Sequence, residues 1–303
     1  MICLSGENIE IGHDLAVTIG KFDGLHRGHM SLIHKLIEIA DSQGLAAAML
    51  TFSPHPAAVL HGSSPSLILS KHEKISILSQ MGLDYYIEYP FTQQFAGLSA
   101  MDFIKDIAIK QLRVKAMVVG ENFRYGAGGL GNADLAKSLG LQVYTMPLIT
   151  DSNVQVSANS ADQVSANALR QMIIARDFDS VIRASERPYF IMGKVVHGKK
   201  KGREMGFPTA NILVPQGKLL PPIGVYITTT DVSGTIFASI TNIATDFIET
   251  HILDYAADLY DKTIRINFHQ WMRNMRPFAS YDELSVQLAN DVADAKKYFG
   301  PPS

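Results

Sequence analysis

The sequence predicts an α/β domain built on a parallel sheet, followed by a small antiparallel β-barrel with a terminal helix. Three observations predict this. Across residues 15–146, short apolar runs alternate with segments of helical period, the pattern of β-α-β units. After about residue 185 the segments become β-prone and are separated by glycines and polar turns. A length of 303 residues suits two domains of ordinary size.

Taken in order, residues 15–20 form a short apolar run closed by glycine. Residues 29–42 carry Leu32, Ile33, Leu36, Ile37 and Ala40 at helical spacing. Residues 46–52, 84–89, 116–120 and 141–146 read as buried strands. Residues 71–81, 100–111 and 135–139 read as the helices between them. In such sheets ligands sit beyond the carboxyl ends of the strands. Residues 152–165 are linker-like and 167–184 helical, which ends the first domain at 184 and gives the second 185–303. In that second domain, residues 190–196, 224–230, 236–243 and 263–268 are strands, and 280–298 is a helix.

Composition narrows the function. A net charge of -2 gives no global field for nucleic acid or an acidic membrane. The single cysteine, Cys3, excludes an intramolecular disulfide and a thiolate metal cluster, and fits a reducing cytoplasm. Residues 1–14 lack the apolar run of a signal peptide, and no apolar run is long enough to span a bilayer. The sequence leaves the oligomeric state open.

The first chemical motif is Gly20-Lys21-Phe22-Asp23-Gly24-Leu25-His26-Arg27-Gly28-His29, placed after a strand and opening a helix. Its glycines allow close backbone approach to a ligand. A helix start offers free N–H groups and a positive dipole end to a phosphate chain. His26 and His29 can donate to phosphate oxygens as charge develops. The bland alternative is a tight turn with two exposed histidines, and placement between strand and helix favours nucleotide chemistry.

This segment resembles the HxGH nucleotidyltransferase superfamily, in the form found in bacterial FAD synthetases, and implies a Rossmann-like domain. Two further segments resemble that family in order: Thr51-Phe52-Ser53-Pro54-His55-Pro56 and Val119-Gly120-Glu121-Asn122-Phe123-Arg124-Tyr125-Gly126. The resemblance implies that Gly20, Phe22, Asp23, His26, Gly28 and His29 bind ATP and that Asn122 contacts FMN or the nucleotide. It also implies catalysis through His26 and His29, with Mg²⁺ or another hard divalent cation. The family's Ser-Ser-Thr-x-Ile-Arg segment corresponds here to Ser165-Ala166-Asn167-Ala168-Leu169-Arg170. Ser165 and Arg170 remain as ATP contacts. Ala166 has no hydroxyl, and Asn167 is left to cap a helix or touch a phosphate.

The second motif runs Gly193-Lys194-Val195-Val196-His197-Gly198, a basic stretch to Arg203, then Gly206-Phe207-Pro208-Thr209-Ala210-Asn211. The basic stretch is either a solvated hairpin turn or a cradle for a triphosphate. On a strand, Thr209 and Asn211 point to one side, and their oxygens suit Mg²⁺. This stretch resembles riboflavin kinases, as do Gly224-Val225-Tyr226, Glu249-Thr250-His251-Ile252-Leu253-Asp254 and Asp258-Leu259-Tyr260. The resemblance implies that Glu249 is the catalytic base and that Gly198, Arg203, Ile252, Asp254 and Tyr260 bind ATP. It implies that Thr209 and Asn211 hold the metal and that Arg273, Arg276 and Phe278 bind the flavin. The loop before Glu249 is shorter than the family's and lacks its proline. Trp271 reads as a packing residue.

The chain is thus identified as a member of the bacterial bifunctional riboflavin kinase/FMN adenylyltransferase family. The implied activities are phosphorylation of riboflavin to FMN and adenylylation of FMN to FAD, with ATP as co-substrate. The implied partners are riboflavin, FMN and ATP, with no nucleic acid and no membrane. The alternatives are a kinase with a weakened adenylyltransferase domain, a flavin-binding regulatory protein, and a nucleotidyltransferase for another phosphate-bearing substrate. The kinase motifs argue against the last.

Overall fold

The computed structural model describes residues 1–149, 164–198, 206–244 and 247–300. The chain folds into two compact units: Met1–Leu67 with Lys71–Ala166, and Ile68–Ser70 with Asn167–Ser303.

The first unit is built on a parallel sheet of β1 (Ile2–Ser5), β2 (Leu15–Ile19), β3 (Ala46–Ser53), β4 (Tyr85–Pro90), β5 (Val114–Gly120) and β6 (Gln142–Met146), in the order β1-β4-β3-β2-β5-β6. All five residues of β2 are buried, which is why this central strand reads as an unbroken apolar run. The helix Arg27–Gln43 buries Ile33, Leu36, Ile39 and Ala40, so its core face is turned slightly from the one the sequence suggests; Leu32 and Ile37 are only half-buried. The expected helix over 100–111 is one turn, Ala100–Asp102, followed by a π-helix, Phe103–Gln111. The wider winding carries Leu112 N–H to the Ile107 carbonyl at 2.9 Å. The chain winds outward from β2 to β4 on one side and from β5 to β6 on the other. The order therefore switches between β2 and β5, where doubly wound sheets form their ligand crevice.

The second unit is a closed antiparallel barrel of β7 (Tyr189–Val196), β8 (Ala210–Ile212), β9 (Gly224–Val232), β10 (Thr235–Ile243), β11 (Ile248–Ile252) and β12 (Thr263–Arg273). On β9 the side chains alternate. Val225 and Ile227 join Ile240, Leu253 and Ala295 in an apolar cluster that includes the terminal helix Tyr281–Phe299. Thr228 and Thr230 point the other way and join Ser239, Thr241 and Thr250 in a fully buried hydroxyl network. Thr228 Oγ1 lies 2.8 Å from both Ser239 Oγ and Thr241 Oγ1, and Thr241 Oγ1 donates to Thr250 Oγ1 at 2.9 Å. Each hydroxyl finds its partner inside the barrel, so this polar interior carries little desolvation penalty. The terminal helix starts with a reciprocal cap: Ser280 Oγ accepts from Glu283 N–H, and the Glu283 carboxylate accepts from Ala279 N–H.

The helical segment expected over 167–184 is two helices, Ala166–Ile174 and Phe178–Ser185. Between them Arg176 is in the left-handed region, at φ 64°, which ends the first helix. Among the described residues no helix is long and apolar enough to cross a membrane.

Candidate active sites

β2 ends at Ile19, and residues 20–26 form the turn that links it to the next helix. Phe22 and Leu25 hold φ 48° and 43°, a region that L-residues enter at about 1–3 kcal/mol each. The loop then enters the helix Arg27–Gln43, with the His26 carbonyl accepting Met30 N–H at 3.0 Å. The imidazoles of His26 and His29 stack with centroids 3.8 Å apart, and the Phe22 ring meets His29 edge-on at 5.1 Å. Gly28 and Gly20 make this packing feasible. A Cβ on Gly28 would lie 3.2 Å from the His26 ring, and one on Gly20 3.2 Å from the Phe22 ring. Asp23 is 4% exposed within the same loop. Asn122 follows β5, the partner of β2, so both sequence motifs leave the sheet at the switch point. Ser165 precedes the helix Ala166–Ile174. Asn167 lies inside that helix's first turn, where its Oδ1 accepts from Arg170 Nη1 at 2.9 Å. Arg170 belongs to the second unit.

In the barrel, Glu249 on β11 stands between two amide side chains in cross-strand register, Asn211 on β8 and Asn242 on β10. Ahead of Glu249, the register of β10 and β11 pairs Ile243 with Ile248. Two clefts open on the barrel, and one of them reaches this row. One, about 380 Å³, contains Glu249, Asn242, Arg273, Arg276 and Phe278 among apolar walls such as Val225 and Leu288. The other, about 470 Å³, contains Ile252, Ala257, Leu259 and Tyr260. Thr209 lines both clefts. Gly198 lies hard against Asn211, because a Cβ there would overlap the Asn211 amide. The Tyr260 ring packs on His197 at 3.9 Å.

Arg273 and Arg276 are held by the terminal helix. Asp291, only 1% exposed, accepts from Arg273 Nε at 3.0 Å and from Nη2 at 2.7 Å. Gln287 accepts from Arg276 Nη2 at 3.0 Å and donates to Asp291 Oδ1 at 2.9 Å. The Arg276 guanidinium lies 4.7 Å from the Phe278 ring centroid. Asp254 sits apart from both clefts, in a left-handed turn at φ 56°, and pairs with Lys296 at 3.0 Å. Arg203 lies outside the described residues. Trp271 lies outside both clefts and packs under the Arg176 guanidinium, 4.9 Å from the ring.

A family model for FAD synthetase matches residues 8–160, and one for riboflavin kinase matches residues 185–299. The Escherichia coli K12 protein described as a bifunctional riboflavin kinase/FMN adenylyltransferase is 34% identical over 94% of this chain and 92% of its own length. The chain belongs to the bifunctional riboflavin kinase/FMN adenylyltransferase family. The Bacillus subtilis family member is 32% identical over 93% of this chain and 92% of its own. A solved Streptococcus pneumoniae chain, called a macrolide-efflux protein, superposes with TM-score 0.86 at 26% identity, covering 98% of this chain and 99% of that one. That name is said of that protein; the superposition supports the fold described above.

Sequence reasoning missed Asn242, Gln287 and Asp291. Asn242 is hidden in an ordinary strand, and only the register places it opposite Glu249. Its Oδ1 is buried with no hydrogen-bond partner, on the face of the smaller cleft. Glu283, Gln287 and Asp291 recur every four residues, a spacing that marks one helical face and was a usable signal.

Proposed function

We propose that this chain phosphorylates riboflavin to FMN in its barrel and adenylylates FMN to FAD in its parallel-sheet unit, using ATP in both steps. The observation that carries the reading is Thr209, which lines two clefts, one of them also lined by Glu249. That cleft has the apolar and cationic lining suited to a flavin, and the other is assigned to the nucleotide. Their junction is where a phosphoryl group would pass from ATP to a flavin hydroxyl.

In the kinase step Glu249 takes the proton of the terminal ribityl hydroxyl, the oxygen attacks the γ-phosphorus of ATP, and ADP leaves. Phe278, with Arg273 and Arg276 held by the terminal helix, orients the flavin side. Gly198, Arg203, Ile252 and Tyr260 are assigned to the nucleotide; Asp254, which lines neither cleft and pairs with Lys296, is left out of that set. Thr209 and Asn211 offer oxygen donors next to a carboxylate, a set that fits a hard divalent cation such as Mg²⁺. When bound, that ion neutralises charge on the phosphate oxygens.

In the second step an FMN phosphate oxygen attacks the α-phosphorus of ATP, and pyrophosphate leaves. No covalent enzyme intermediate is needed. Gly20, Phe22, Asp23, Gly28 and Ser165 of the first unit are assigned to ATP, and Asn122 to FMN or the nucleotide. His26 and His29 donate to phosphate oxygens as negative charge builds. We keep the functional boundary between residues 184 and 185, a reading supported by the riboflavin kinase match over 185–299. A cytoplasmic location belongs to the same reading, supported by the single Cys3.

Incubation with riboflavin, ATP and Mg²⁺, followed by chromatographic separation of flavins, tests this reading. FMN appearing first and FAD following is the expected course. FMN alone would withdraw the second activity, and neither product would favour a flavin-binding protein.

A further inference from the structure

Lys74 is a buried cation that the two reactions above leave unused. It lies on the helix Lys71–Leu78, in the first unit, and is 8% exposed. Its Nζ donates to the main-chain carbonyl of Lys21 at 3.1 Å. The charged groups that face it are Asp23 and Glu88, which favour its ammonium form, and Lys71, which opposes it; burial is the largest influence and holds its pKa below the ordinary lysine value. Glu73, its neighbour on the helix, is also fully buried. A buried ammonium is expensive unless it is paired and hydrogen-bonded, and the Lys21 carbonyl is one of its partners.

What it holds is the start of the strained loop. The Lys21 carbonyl belongs to the peptide that leads into Phe22, the first residue with positive φ. That backbone sends the Phe22 ring against His29, which stacks on His26. The contacts therefore run unbroken from Lys74 through the 21–22 peptide and Phe22 to both histidines. A loop held in unfavourable dihedrals keeps them only if its surroundings fix it, and Lys74 is the side chain placed to do so.

We propose that Lys74 is a positioning residue for adenylyl transfer, anchoring the Lys21–Phe22 peptide so that His26 and His29 are presented to the phosphates. This rests on the assignment of FAD formation to the first unit. Lys74 touches no reacting atom in this proposal.

The test measures FAD formation from FMN and ATP, and riboflavin phosphorylation, in full-length wild-type, Lys74→Met and Lys74→Gln proteins. In Lys74→Met, kcat for FAD formation is expected to fall about 100-fold, the order produced by a 1 Å misplacement, with KM for FMN little changed. Kinase turnover is expected to be unaffected. Lys74→Gln keeps an N–H donor on a side chain one bond shorter and is expected to recover part of kcat. A Lys74→Met protein with wild-type kcat would overturn the proposal. So would a Lys74→Gln protein no faster than Lys74→Met. If Lys74→Met fails to fold in its first unit, as read by calorimetry, Lys74→Gln decides: a kcat for FAD formation below wild type with KM for FMN unchanged supports the proposal, and a wild-type kcat overturns it. A wild-type protein that makes no FAD would sink the underlying assignment, an outcome distinct from equal activity of wild type and variant.

Discussion

Asn211 and Glu249 are direct partners across the ladder of β8 and β11, so the assigned metal ligand and the assigned base occupy one row of the barrel. Thr209, two residues before Asn211, lines both clefts. An oxygen ligand removed from this row should weaken metal use before it alters flavin binding. Asn211→Ala is expected to raise the Mg²⁺ concentration for half-maximal FMN formation by about 10–100-fold. A metal titration of the kinase rate measures this, and an unchanged midpoint would remove Asn211 from the metal site.

Asp291 gives a second prediction. It holds the Arg273 guanidinium through two nitrogens and shares Gln287 with Arg276. Asp291→Ala leaves Arg273 without its carboxylate, but Arg273 is about one-fifth exposed, so water recovers part of the loss. The expected destabilisation of the barrel is about 1–3 kcal/mol, read by denaturant unfolding. KM for riboflavin should rise, while FAD formation from supplied FMN stays at the wild-type rate. A riboflavin KM unchanged in this variant would separate the pair from flavin binding.

Much of the fold and site is legible in the sequence, for physical reasons that differ by element. β2 and β5 read directly because central parallel strands are buried on both faces. Glu249 and the Gly20–His29 segment read through their motifs, since the chemistry restricts residue type and spacing. β1 escapes a sequence reading because an exposed edge strand of four residues carries little apolar signal. The three-residue β8 escapes it for its shortness; its pairing with β7 and β11 makes it a strand. The π-helix Phe103–Gln111 reads as α-helical, because both windings bury similar apolar stripes. Asn242 and Lys74 are invisible for a different reason. Each matters only through a partner far away in sequence or across a ladder, Glu249 for one and the Lys21 carbonyl for the other.

His269 gives a prediction for pH. It sits at a bulge in β12 between the paired residues Phe268 and Gln270, with a ring nitrogen 3.0 Å from Thr229 Oγ1. Tyr298 and Phe299 of the terminal helix cover it. Burial lowers its pKa from the ordinary value. The unfolded chain therefore binds a proton there more readily than the folded one. This contribution to stability is complete above about pH 6.5 and is lost as pH falls below it. Thermal unfolding followed from about pH 7.5 to 5.5 should show a smaller decline for His269→Gln than for wild type. Identical slopes would show that His269 does not report its burial in this way.

The two activities are best separated by Glu249→Gln, which removes the assigned base and nearly preserves its shape. Wild type supplied with riboflavin, ATP and Mg²⁺ should make FMN and then FAD. The variant should form FMN slower by about 10²–10⁴-fold, the usual contribution of general base catalysis, while converting added FMN to FAD at the wild-type rate. His29→Ala should show the opposite pattern, with FMN formed and FAD lost. Normal FMN formation by Glu249→Gln, or loss of both reactions in either variant with the fold intact, would contradict two chemistries housed in two separate sites.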